Sequence, residues 1–123
     1  MAVPRILFAV PALLIGMVLP TAGPAIKKPA NDVLGMTHEG YSTENVAVHR
    51  GDTLTMQNSS RFAHTIGPGK DAHLADAAGI PVSGPHLVQT NQTFTTGRWN
   101  TPGTYELTCS VHPEMNVTVV VTG

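Results

Sequence analysis

The sequence predicts an all-β domain, an antiparallel Greek-key β-sandwich or barrel, preceded by an N-terminal signal segment. Three observations carry that reading. Apolar and polar residues alternate over several short stretches, which is the period of a half-buried strand. Twelve Gly and ten Pro punctuate the 123 residues, so turns are frequent and elements short. No stretch carries a long apolar stripe at helical spacing,.

Residues 1–5 form a weakly positive start, and residues 6–19 are apolar apart from Pro11 and Gly16. Gly23-Pro24-Ala25 then offers small residues for cleavage. Residues 1–25 therefore read as a signal peptide. The apolar run is shorter than the roughly 20 residues of a membrane-spanning helix, so no stable membrane insertion is expected once it is cleaved. The protein is expected in the periplasm or outside the cell, or associated with the cell envelope if the segment is retained.

Residues 26–40, with Lys27-Lys28-Pro29, read as a linker leading into the first strand, and residues 41–123 as the folded domain. Asn45-Val46-Ala47-Val48-His49 has β character, and Gly51-Asp52 makes a turn,. Residues 53–58 alternate, with Leu54 and Met56 on one face; Ser59-Ser60 turns the chain again,. Residues 67–84 form a Gly/Pro-rich excursion in which residues 71–78 are expected to make a helical turn or two. Residues 88–96 read as one Thr-rich strand. After the Thr101-Pro102-Gly103 turn, Tyr105, Leu107 and Cys109 share one face of a strand, and Thr104, Glu106 and Thr108 the other,. Residues 116–122 are a Val/Thr run of high β propensity,.

Composition narrows the function. Charged residues are 12% of the chain and the net charge is −1, which excludes a disordered charged tail and a nucleic-acid binder resting on a basic patch. One Cys excludes an intrachain disulfide. In an oxidising compartment an odd thiol pairs with another chain, is oxidised, or is held by a metal.

Cys109, His112 and Met115 stand three residues apart. A thiolate, an imidazole and a thioether at that spacing can converge on one ion from a tight loop. Zinc wants four strong ligands, and a thioether is a poor one. Copper accepts two imidazoles and a thiolate in a trigonal plane with a long, weak axial Met. A second imidazole must then come from another strand end. Of His38, His49, His64, His73, His86 and His112, His64 is the best placed, six residues after Asn58 at the end of an expected strand. The other four His read as surface or loop residues, Met36 and Met56 as packing, and Trp99 as part of the sandwich wall. Asn58, Asn91 and Asn116 each match a glycosylation acceptor, but read as turn and strand chemistry.

These residues resemble the cupredoxins, the small blue-copper proteins. In that family a strand ending in Asn leads to the first ligand His, and much later a Gly-x-Tyr strand ends in Cys, followed by His and Met. Here Asn58…His64 and Gly103-Thr104-Tyr105…Cys109, His112, Met115 match that order over residues 46–122. The C-x2-H-x2-M spacing resembles amicyanin-type loops more than those of plastocyanins. Two departures are visible: Thr65 follows the first His where many members have Asn, and Asn116-Val117 follows Met115 where many have Gly.

The resemblance implies a β-sandwich holding one copper ion, cycling between Cu(I) and Cu(II), on His64, Cys109, His112 and Met115. It implies an electron carrier and no enzyme, with no nucleic-acid partner. His112 is the expected exposed ligand, framed by Val111, Pro113, Ile66 and Pro68 as an apolar patch for a redox partner, and the protein is expected to be a monomer. A copper-handling protein (chaperone, scavenger or sensor) and an accessory subunit of a larger redox complex are the alternatives. If the loop takes the family's shape, the N–H groups of Thr65 and Val111 both point at the Cys109 sulfur.

Overall fold

Alternation along a strand decides which side chains face inward, and burial follows it over Val33–Met36, Asn45–His49 and Thr55–Asn58,. The computed structural model describes residues 33–123. The expected signal peptide and residues 26–32 of the linker lie outside the described residues. Nine strands follow in chain order: β1 (Val33–Met36), β2 (Asn45–His49), β3 (Thr55–Asn58), β4 (His64–Lys70), β5 (His73–Leu74), β6 (His86–Val88), β7 (Thr93–Thr95), β8 (Gly103–Cys109) and β9 (His112–Thr122). Among the described residues there is no helix.

The strands form two sheets. One has the order β1-β3-β7; the other has β2-β9-β8-β4-β5, with β6 also pairing with β4. Leu34, Met36 and Met56 from the first sheet meet Val46, Leu107, Val117 and Val119 from the second in a single buried core. Trp99 is fully buried and donates its indole N–H to Thr96 Oγ1 at 2.9 Å, while the same hydroxyl accepts the Leu54 N–H at 3.0 Å. A buried indole needs such a partner. Tyr105 Oη donates to the Thr101 carbonyl at 2.6 Å, tying the start of β8 to the turn before it, as a tyrosine corner does in other Greek-key sandwiches.

Two pairings run parallel, β1 with β3 and β2 with β9; the other pairings among the nine strands are antiparallel. Parallel neighbours need a crossover between them. The chain supplies it for β1 and β3 by visiting the other sheet as β2.

Two local expectations are corrected. Residues 71–78 are not helical. Lys70 pairs with His73, so Asp71-Ala72 is a two-residue hairpin turn, with φ of 51° and 65°, the twist a tight hairpin requires. Gly69, at φ 141°, lets the chain curl here, because a Cβ at that position would collide with the His73 carbonyl. Residues 88–96 are not one strand either. β6 ends at Val88 on the second sheet and β7 begins at Thr93 on the first. The turn between them is held by Gln92 N–H to the Gln89 carbonyl (2.9 Å) and Asn91 N–H to the Asn58 carbonyl (2.7 Å). A change of sheet leaves no trace in a Thr-rich composition.

Candidate metal centre

The centre is built at one end of the second sheet, where β8 and β9 meet β4. Ser110 and Val111 make the turn between β8 and β9, and Cys109 pairs with His112 across it. The next pair down is Thr108 with Asn116. One step on β8 therefore answers four on β9, and residues 113–115 bulge out without ladder partners. A bulge re-aims side chains that a regular ladder would fix. Pro113 and Glu114 are exposed, while Met115 is fully buried. The Cys-His-Met segment, expected as a loop, is thus a tight hairpin with a three-residue bulge.

His64 opens β4, four residues past a turn held by one side chain. Asn58 is fully buried. Its Nδ2 donates to the carbonyls of Phe62 (2.7 Å) and Val88 (2.9 Å), and its Oδ1 accepts from Ser60 N–H (3.0 Å) and Ser60 Oγ (2.6 Å). An amide spent in this way is structural, in line with the turn reading of Asn58.

The His64 ring is fully buried as well. Its Nε2 lies 2.9 Å from the Thr37 carbonyl and 3.0 Å from Ser60 Oγ. A carbonyl only accepts, so the Nε2 proton is fixed and Nδ1 is left with a free lone pair. That is the arrangement in which a metal-ligating imidazole is held by its second nitrogen. Burial lowers the His64 pKa below its ordinary value; the Thr37 carbonyl opposes this, and the nearby His112 and His38 rings add to it.

Cys109 Sγ lies 3.8 Å from His64 Nδ1 and 3.6 Å from His112 Nδ1. The donor atoms of all three residues fall within 4.8 Å of one another. With bonds of about 2.3 Å to sulfur and about 2.0 Å to nitrogen, and roughly 120° between them, a single ion would separate the two donors by about 3.7 Å. The observed spacings match that value. Two imidazole nitrogens and one soft thiolate sulfur make a donor set that fits copper,.

The structure brings His64, Cys109 and His112 together and buries Met115 in the bulge that follows. His38, His49, His73 and His86 are exposed and contribute no donor atom to this group, although His38 lies near His64. His38 packs edge-on against Phe62 (4.2 Å between centroids), and His86 stacks on Phe94 (4.0 Å). The hydrogen-bond partners of Cys109 Sγ among the described residues are the two Nδ1 atoms; the N–H groups of Thr65 and Val111 are not among them. Ser110 N–H instead donates to the Thr65 carbonyl at 2.9 Å, binding the segments that carry Cys109 and His64 through the backbone.

The apolar frame also differs from expectation. Ile66 and Pro68 are buried, because β4 is an inner strand flanked by β8 on one side and β5 and β6 on the other. Around the half-buried His112 the exposed apolar residues are Val111 (61%) and Phe62 (44%) together with the expected Pro113, with the Phe62 and His112 rings 6.5 Å apart. Leu87, also exposed, lies opposite Thr65 on the neighbouring strand.

Sequence reasoning missed the Thr37 carbonyl and Ser60 as partners of His64. It also missed Tyr41, whose hydroxyl is buried without a hydrogen-bond partner. Burial, and then the adjacent Cys109, push the Tyr41 pKa upward. A backbone carbonyl 27 residues away from the ring it holds carries no residue signature.

Amicyanin-alpha of Methylorubrum extorquens is 31% identical over 83 residues, covering 66% of this chain. This chain spans 63% of that protein's length. An oxidised amicyanin variant superimposes with a TM-score of 0.59 at 25% identity, covering 84% of this chain and 87% of the amicyanin. The chain belongs to the cupredoxin family. A purple cupredoxin from Nitrosopumilus maritimus shares the fold at TM-score 0.58 and 22% identity, covering 73% of this cupredoxin and 98% of its own chain. No family model matches the sequence.

Proposed function

We propose that this cupredoxin holds one copper ion on His64 Nδ1, Cys109 Sγ and His112 Nδ1, with Met115 as a weak axial ligand, and carries single electrons between redox partner proteins. One observation carries the reading: two imidazole Nδ1 atoms stand 3.8 and 3.6 Å from one thiol sulfur, on strands tied together by backbone hydrogen bonds. Copper bound there supplies the Cu(II)/Cu(I) couple. The chain's part is to keep the donors still. His64 is locked by Thr37 and Ser60, and Cys109 sits in the inner ladder of a sheet, so neither must move when the charge changes. Amicyanin structures described as Cu(I) and as oxidised support the metal assignment.

His112, half-buried beside Val111 and Phe62, is the port through which an electron leaves. A small apolar surface suits a short-lived contact. Export to the periplasm or beyond belongs to the same reading and is supported by residues 1–25. The test is the visible spectrum of the protein with Cu(II). An intense thiolate-to-copper band should appear, vanish in Cys109→Ala and survive in His73→Ala. A colourless Cu(II) complex overturns the proposal, and loss of the ion to a chelator within seconds would favour copper handling.

A further inference from the structure

Asn116 occupies the last regular ladder position before the bulge, opposite Thr108 and next to Met115. Met115 points into the core, and Asn116 is half-buried on the opposite face,. Every polar atom of the Asn116 amide is engaged. Nδ2 donates to the Pro113 carbonyl at 2.8 Å and to Asp71 Oδ1 at 3.0 Å, and Oδ1 accepts the Asp71 N–H at 2.8 Å. Beside it, Ala72 N–H donates to Thr108 Oγ1 at 3.0 Å.

Both residues of the β4–β5 turn are thus hooked onto the two side chains that flank the bulge. The turn holds Asp71 and Ala72 at φ 51° and 65°, a region that a Cβ disfavours and that persists only where partners impose it. Residues 113–115 have no ladder partners, so the Asn116 bond to the Pro113 carbonyl takes the place of one. β4 runs from His64 to Lys70, so one strand carries a ring donor at its start and the grip on the bulge at its end.

We propose that Asn116, held by Asp71, is the positioning residue for Met115: it sets the shape of the bulge and so where the axial thioether stands. This rests on the copper reading above. A side chain anchored from a neighbouring hairpin can fix the axial position while the ring and thiolate donors stay on their strands.

The experiment uses the copper-loaded full chain. Asn116→Val keeps β propensity and removes all three amide bonds. Asp71→Gly removes the carboxylate and tolerates the positive φ, so it serves if Asn116→Val does not fold. Both should stay coloured, since the equatorial donors are untouched, but with a shifted reduction potential and an altered intensity ratio of the charge-transfer bands. Asp71→Asn, which keeps the acceptor oxygen and the N–H, should restore wild-type values. In a Met115→Leu background Asn116→Val should shift neither quantity further, because its effect passes through the thioether. In the metal-free protein, the Asp71 amide should exchange with solvent about fivefold faster in Asn116→Val, the loss of one hydrogen bond.

A coloured Asn116→Val or Asp71→Gly protein with wild-type potential and band ratio overturns the proposal. So does an equal shift in the Met115→Leu background. A colourless wild-type protein overturns the copper reading and this proposal with it, which separates the two failures.

Discussion

Replacing Asn58 by Ala should unlatch the segment that delivers His64. The side chain is fully buried and makes four hydrogen bonds, two donated to the Phe62 and Val88 carbonyls and two accepted from Ser60. After truncation, Ser60 Oγ, already 3.0 Å from the Phe62 carbonyl, can satisfy that group. The Val88 carbonyl and the Ser60 N–H each lose the Asn58 bond. At about 1.5 kcal/mol for each of these two buried groups left short of a partner, the loss comes to about 3 kcal/mol. For a domain of this size that lowers Tm by about 12 to 24 °C. The assay is thermal or urea unfolding of the metal-free protein, so the result does not depend on the metal assignment. Ser60 Oγ also touches His64 Nε2, so the variant should bind Cu(II) with a broadened charge-transfer band. A loss below about 0.5 kcal/mol, within the range of an ordinary surface change, would mean that the turn is not held by Asn58.

Met115→Gln should keep copper bound and lower the reduction potential measured by voltammetry, because a harder oxygen donor favours Cu(II); a raised potential would remove Met115 from the axial role. Val111→Pro should leave the potential unchanged, since the Val111 N–H is not among the partners of Cys109 Sγ; a fall would show that it reaches the sulfur. The metal-free protein should lose stability as pH falls through about 6.5. Burial depresses the folded-state pKa of His64, so the unfolded chain takes the proton first; the stability is present above that pH and lost below it. Urea midpoints at neutral and mildly acidic pH check this, and the slope should flatten in His64→Gln.

Much of the fold was legible because strand alternation is a local property. The strand Asn45–His49 was read with the bounds the structure shows, and Leu107 and Cys109, read as sharing a face, are both buried, although Thr108 between them is buried too. The Cys109, His112 and Met115 spacing was visible for the same reason: three donors within seven residues need no long-range information. What alternation cannot show is which strand lies beside which. The parallel pairings β1–β3 and β2–β9 depend on the chain crossing between sheets, and so does the split between β6 and β7. Ile66 and Pro68 looked like rim residues because they follow a candidate ligand, yet β8 pairs beside them and buries them.

Local pattern was enough to place the strand Asn45–His49, to show the thiolate-imidazole-thioether segment and to single out His64 as a candidate among six His. How those side chains are held depends on contacts far apart in sequence. The Thr37 carbonyl reaches His64 across 27 residues, Thr108 receives Ala72 across 36, and Asn116 meets Asp71 across 45. The identity of a candidate donor is written in its side chain, while its placement is imposed by backbone groups and hairpin tips that become neighbours only when the sheets have closed.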